Sequence, residues 1–80
     1  MGERFIIIGR STCDFCLLAQ DLLTASGLQF TFLDYAKFPE YLDEYKEFHN
    51  HQTVPIILAN NLESGHTRKI GGYTELLRYL

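Results

Sequence analysis

Apolar residues along this chain change their spacing several times, and each change marks a new element. Phe5-Ile6-Ile7-Ile8 is a short unbroken apolar run rich in β-branched residues, which predicts a strand buried on both faces. Gly9-Arg10-Ser11-Thr12 breaks it. Phe15, Leu18, Ala19, Leu22 and Leu23 then recur at helical spacing. Ser11 and Asp14 predict a loose capping box at the start of that helix, and Gly27 a cap at its end. Over residues 29–33 the pattern alternates as in a strand, with Phe30 and Phe32 on one face and Gln29, Thr31 and Leu33 on the other.

Pro39 opens a second predicted helix, at a position where its missing N–H costs nothing. The expected inner face is Phe38, Tyr41, Leu42, Tyr45 and Phe48, and the wet face Asp43, Glu44, Lys46 and Glu47. Residues 55–59 predict a third strand with Pro55 at its first position. Residues 60–65 form a turn, and 67–70 a fourth strand antiparallel to the third. Gly71-Gly72 interrupts, and Tyr73, Leu76, Leu77 and Leu80 predict a last short helix. The order is β-α-β-α-β-β-α, an α/β fold. Its first βαβ unit should be a right-handed parallel crossover. The closing hairpin completes a four-stranded mixed sheet flanked by helices, a thioredoxin-like arrangement.

Composition limits the function classes. Eighty residues predict a single domain, 1–80. An apolar share of 46%, with six Phe and five Tyr, is enough for one core without staples. The net charge is −3 and there is no basic run, which argues against a nucleic-acid partner. No stretch of ~18 apolar residues predicts a membrane span. The opening Met1-Gly2-Glu3-Arg4-Phe5-Ile6 fits neither a signal peptide nor a myristoylation site. The expectation is a cytoplasmic monomer with neither nucleic acid nor membrane as partner.

Chemistry concentrates at the only two cysteines, Cys13 and Cys16. They follow a buried strand and open a helix. A helix N-terminus offers unpaired N–H groups and about half a positive charge, both of which favour thiolate over thiol. Such positions can bring a cysteine pKa from about 8.5 into a range of roughly 3.5–7.5. Cys13, nearer the helix start, is the expected nucleophile. Cys16, three residues on and on the same face, can resolve a mixed disulfide formed there. Arg10 adds positive charge near the pair, and Asp14 opposes it. Two other readings compete. A zinc half-site would need two more ligands, and His49, His51 and His66 are the only histidines, with His49-x-His51 too tightly spaced for the usual pair. Alternatively, the two cysteines are inert core residues. A strand, a Cys-x-x-Cys and a helix in succession favour redox work.

The chain resembles the glutaredoxin family over nearly its whole length, through three motifs in order. Arg10-Ser11-Thr12-Cys13-Asp14-Phe15-Cys16 is similar to the family's Lys-x-x-Cys-Pro-Tyr-Cys. Gln52-Thr53-Val54-Pro55 matches its Thr-Val-Pro segment, and Ile70-Gly71-Gly72-Tyr73-Thr74-Glu75-Leu76 its Gly-Gly loop. Read alone, Pro55 could merely begin a strand and Gly71-Gly72 merely turn the chain. The resemblance implies a cis Val54–Pro55 bond. Val54 then offers its backbone to an extended peptide, so that glutathione adds like a short strand. It also implies that Gly72 allows close approach and that the backbone at Tyr73 and Thr74 holds the γ-glutamyl carboxylate. Arg10 and Gln52 become candidate counter-charges for the glycine carboxylate, with Lys37 a third; each could equally be a solvated surface residue. Phe15 either lines the groove beside the sulfur or belongs to the core.

The implied activity is glutathione-dependent thiol–disulfide exchange, reducing protein disulfides and glutathionylated proteins, with glutathione as co-substrate and no bound cofactor. Family potentials lie near roughly −200 to −230 mV. One alternative role is a dedicated dithiol electron donor to a reductase such as ribonucleotide reductase. Another is a module sharing an iron–sulfur cluster between two chains through Cys13 and glutathione. Thioredoxin itself fits less well, because the chain has no Trp and no Trp-Cys-Gly-Pro-Cys. Three departures from the family pattern stand out: Asp14 for the usual Pro, Phe15 for Tyr, and Thr74 where Asp is common.

Overall fold

The unbroken apolar run of the first strand is explained by its place in the sheet. In the computed structural model, which describes residues 2–80, that strand is β1 (Glu3–Gly9), and it is central. Met1, where the expected domain and the N-terminal reading begin, lies outside the described residues. After β1 come α1 (Asp14–Ala25), β2 (Phe30–Asp34), α2 (Pro39–Phe48), β3 (Ile56–Asn61), β4 (Thr67–Gly71) and α3 (Tyr73–Tyr79). The sheet order is β2-β1-β3-β4. β1 runs parallel to β2, with Phe5 opposite Phe30 and Ile7 opposite Phe32, and antiparallel to β3, with Ile7 opposite Ile57. β3 and β4 pair antiparallel across an irregularity at Ile57/Leu58. The element order and the four-stranded mixed sheet are the thioredoxin-like arrangement that the sequence predicts.

Alternation in β1 divides the core between two faces. Phe5 and Ile7 pack with Ala19 and Leu23 of α1, Ile57 and Ala59 of β3, and Leu76 of α3. Phe30 and Phe32 close that cluster from β2. Ile8 points the other way, into a smaller cluster with Leu42 of α2, Ile56 and Leu58, edged by Ile6, Leu33, Tyr45 and Val54. Helices α1 and α3 therefore cover one face and α2 the other. Among the described residues no helix is long and apolar enough to cross a membrane.

Several helical details differ from the sequence reading. The N-cap of α1 is Cys13, whose sulfur accepts the Cys16 N–H, and not Ser11. The Ser11 N–H is instead donated to Asp34 Oδ1 at 2.9 Å, tying the β1–α1 loop to the end of β2. At the other end Gly27 does cap, at φ +69°, with Gly27 N–H donated to Thr24 O and Leu28 N–H to Leu23 O. That is the paired bonding of a left-handed C-cap, which glycine adopts without steric cost. Leu18, expected inside, is exposed, as are Leu77 on the last helix and Leu80 at its C-cap; only Cys16, Ala19, Leu23 and Leu76 are fully enclosed on these two helices.

The largest departure is α2. Of its five expected inner residues only Leu42 is buried, and Tyr45 is half-buried. Phe38 and Tyr41 are exposed, and Phe48 is 83% exposed. The helix lies on the smaller cluster, so only a narrow stripe meets the sheet. Neighbouring rings shelter one another instead: Tyr35 against Tyr41 and Tyr45 at 5.7 and 5.5 Å, and Phe48 edge-on to His49 at 4.9 Å. A Tyr35–Tyr45 hydroxyl contact of 3.2 Å ties the group together. Apolar periodicity marks which residues share a face, but not how much of that face is covered. Leu42→Ala is expected to cost about 2–5 kcal/mol in urea unfolding. Phe48→Ala should shift stability by no more than about 0.5 kcal/mol. Equal losses at both positions would mean that Phe48 packs after all.

Candidate functional site

β1 ends on Gly9, and the absence of a side chain there decides where the sulfurs go. A Cβ at Gly9 would collide with the Cys16 sulfur, so only glycine lets the first turn of α1 settle on the strand end. Cys16 is consequently fully buried, while Cys13 is half-buried at the helix start. Both are free thiols. The Cys13 N–H is donated to Arg10 O at 3.1 Å, and the residue itself is extended, at φ −99° and ψ 120°. In that geometry its sulfur accepts the Cys16 backbone N–H at 3.3 Å and lies 3.9 Å from the Val54 carbonyl oxygen.

Burial separates the two thiols chemically. It pushes the Cys16 pKa up to about 12, aided by the neighbouring Cys13 sulfur and opposed by Arg10. Arg10 is half-buried and close enough to act on the Cys16 thiol. Asp14, the first residue of α1, is exposed.

The Val54–Pro55 bond is cis, and Pro55 is buried where β3 begins. From this point a shallow groove of about 260 Å³ extends across to α3. Seven of the residues that the resemblance implicates line it: Phe15, Thr53, Val54 and Pro55 on one side, and Gly72, Tyr73 and Thr74 on the other. Phe15 is 57% exposed and leans on the Tyr73 ring at 5.9 Å, which makes it a wall of the groove and not a core residue. Arg10 is not part of the wall. Gln52 lies in a separate cleft with Asp43, Lys46 and Asn50. Lys37 acts on Asp34 and is not brought to the groove.

Two further residues complete the wall, His51 and Glu75. Glu75 Oε1 accepts the Gly72 N–H at 2.7 Å, which holds its carboxyl below the usual carboxylate range. The spacing of Glu75 three residues after the cap was a signal available in the sequence. His51 had none, since a single histidine in a loop belongs to no motif. A larger hollow of about 560 Å³ on α2, lined by residues such as Tyr41, Glu44 and Phe48, holds neither cysteine. The chemistry follows the sulfur and not the volume.

A family model described as Glutaredoxin matches residues 5–62. Among solved structures, glutaredoxin 1 from Francisella tularensis, complexed with cacodylate, is 25% identical over 96% of this chain and 91% of that one, at a TM-score of 0.66. The reduced Escherichia coli glutaredoxin is 25% identical over 95% and 91%, at 0.64. A wheat glutaredoxin is 21% identical over 92% and 68%, at 0.72, and shows the fold. No curated protein matches the chain in sequence.

The raised Cys16 pKa makes a pH prediction. Burial disfavours the thiolate, so Cys16 stays protonated until the pH nears 12. At about pH 8 iodoacetamide should label Cys13 alone in the folded protein and both cysteines in urea, because the thiolate is the reacting form. Gly9→Ala, by displacing the Cys16 sulfur, should open Cys16 to labelling. Peptide mass mapping reads both outcomes. Cys16 labelling in the folded wild type as fast as in urea would contradict its burial.

Proposed function

The chain belongs to the glutaredoxin family, and we propose that it is a glutathione-dependent oxidoreductase in which Cys13 attacks and Cys16 resolves. Its general chemistry as a glutaredoxin with a Cys13–Cys16 pair is thiol–disulfide exchange. The observation that carries the finer reading is the contrast between the two sulfurs beside one groove. One is accessible at a helix start, next to the cis-proline turn; the other is sealed and held as a thiol.

On a glutathionylated protein, the Cys13 thiolate attacks the glutathione sulfur. A bond forms between Cys13 and glutathione, the protein–glutathione bond breaks, and the protein thiolate leaves and takes a proton. A second glutathione, as thiolate, attacks the glutathione sulfur of that adduct. Oxidised glutathione leaves, and Cys13 is a thiolate again. Cys16 takes no part in this cycle.

On a protein disulfide, the Cys13 thiolate attacks one sulfur; the substrate S–S bond breaks, a mixed disulfide with Cys13 forms, and the first substrate thiolate leaves and takes a proton. Cys16 then attacks the Cys13 sulfur and expels the second substrate thiolate. Because Cys16 holds its proton to about pH 12, that proton must be lost as attack proceeds, and the departing thiolate is the nearest base being created. Two glutathiones reduce the resulting Cys13–Cys16 disulfide. The first forms a mixed disulfide on Cys13 and frees Cys16 as a thiol. The second takes off the first as oxidised glutathione and restores Cys13. The groove supports glutathione as the reductant. It runs from Val54, whose backbone faces the Cys13 sulfur, to Gly72 and Thr74. A tripeptide can lie along it like an added strand. Such a cycle runs where reduced glutathione is plentiful, as in the cytoplasm.

The test is a glutathione-coupled assay on a glutathionylated peptide and on a protein disulfide. Cys13→Ser should reduce both to background. Cys16→Ser should keep most of the rate on the glutathionylated peptide and lose the protein-disulfide reaction. Undiminished turnover in Cys13→Ser would end the assignment.

A further inference from the structure

His51 carries the buried side-chain nitrogen that the groove leaves unmatched. It follows α2, its backbone N–H donated to Lys46 O at 2.9 Å, and its ring lies in the groove wall. Among the described residues, Nε2 is buried with no hydrogen-bond partner. Buried polar atoms in folded proteins are nearly always paired, so an orphan at a binding groove points to an absent partner. A Cβ placed on Gly72 would sit 3.7 Å from this nitrogen and 3.3 Å from Glu75 Oε1. The space over Gly72 is therefore bordered by an imidazole nitrogen, a carboxylate oxygen and, also 3.7 Å away, the Pro55 carbonyl oxygen. Glycine keeps it open.

The charges around it make the ring useful. Glu75, from α3, is ionised in the neutral range because the Gly72 N–H stabilises its carboxylate. His49, at the end of α2, also acts on His51, and Lys69 of β4 acts on His49. A second carboxylate entering this end of the groove meets the like charge of Glu75. A proton donor beside it offsets that repulsion. In imidazolium and in the Nε2–H tautomer alike, Nε2 carries a proton.

We propose that His51 is a specificity-determining residue that recognises the γ-glutamyl end of the tripeptide, its Nε2–H donating to that residue's carboxylate. The assignment rests on the glutathione reading above and adds to it the side chain that distinguishes a γ-glutamyl thiol from a shorter one. Side chains at binding surfaces commonly change rotamer while the backbone stays in place, so only the ring must turn toward the ligand.

The test compares two mixed disulfides of one peptide, with glutathione and with cysteinylglycine, which lacks the γ-glutamyl residue. Single-turnover release of the peptide thiol is followed against adduct concentration. With His51→Leu, the half-saturating concentration of the glutathione adduct should rise about tenfold, as for one lost charge-assisted hydrogen bond. The limiting rate should change by less than about twofold, the signature of lost binding and not of lost chemistry. The cysteinylglycine adduct should be unaffected. His51→Gln, whose amide nitrogen can stand in for Nε2, should recover most of the loss. Equal weakening toward both adducts, no weakening, or no recovery with Gln overturns the proposal. If His51→Leu does not fold, the ¹⁵N resonance of His51 Nε2 decides, read before and after Cys16→Ser protein is loaded with glutathione on Cys13. An unmoved resonance overturns the proposal and a shift to a hydrogen-bonded donor supports it. Failure of the wild type to react with the glutathione adduct overturns the glutathione reading as well, whereas normal wild-type reaction with an indifferent His51→Leu overturns only this one.

Discussion

The Cys16 sulfur rests where a side chain on Gly9 would otherwise be, and this contact governs how α1 meets the sheet. With the sulfur seated there, the first turn of the helix lies against the end of β1. Cys13 is left at the N-cap, extended, with its sulfur turned toward the Cys16 N–H and the Val54 carbonyl. A bulkier residue at position 9 would lift the turn and move both sulfurs. The same contact makes the two thiols unlike each other, because the atom that anchors the helix is the atom removed from water.

Topology supplies the rest of the site. β1 and β3 are antiparallel neighbours, so the end of one and the start of the other meet at the same rim of the sheet. β4 returns alongside β3 and ends with Gly71 opposite Ile57, delivering Gly72 and α3 to that rim as well. Three segments distant in sequence thus converge without a long loop. The crevice outside the C-terminal end of a parallel strand is a general place for ligands in α/β folds, because loops from several strands gather there.

What could be read in the sequence followed from how local each constraint is. β1 was legible because a strand covered on both faces must be apolar throughout. The cysteine pair and the Gly71-Gly72 turn were legible because their chemistry depends on short spacings. Ser11 and Asp14 are common cap residues and so suggest the wrong cap for α1, where a sulfur takes that role. The exposure of Phe48 could not be read, since it depends on how much of α2 the sheet covers. Gln52 and Thr53 are adjacent but line different clefts, a split that their neighbourhood in sequence does not reveal. His51 enters the groove only through tertiary folding.

The outer strand β4 has a consequence of another kind. An edge strand presents unpaired N–H and C=O groups that can template a further strand from a second molecule. β4 is five residues long, and Thr67, Arg68 and Lys69 on it are all exposed. Charged side chains on a short edge are one way such pairing is blunted, and Arg68, which pairs with Glu3 at 3.5 Å, and Lys69, which donates to His49 O, are of that kind. Reactive chemistry at one end of the sheet is thereby combined with a short, charged border along β4.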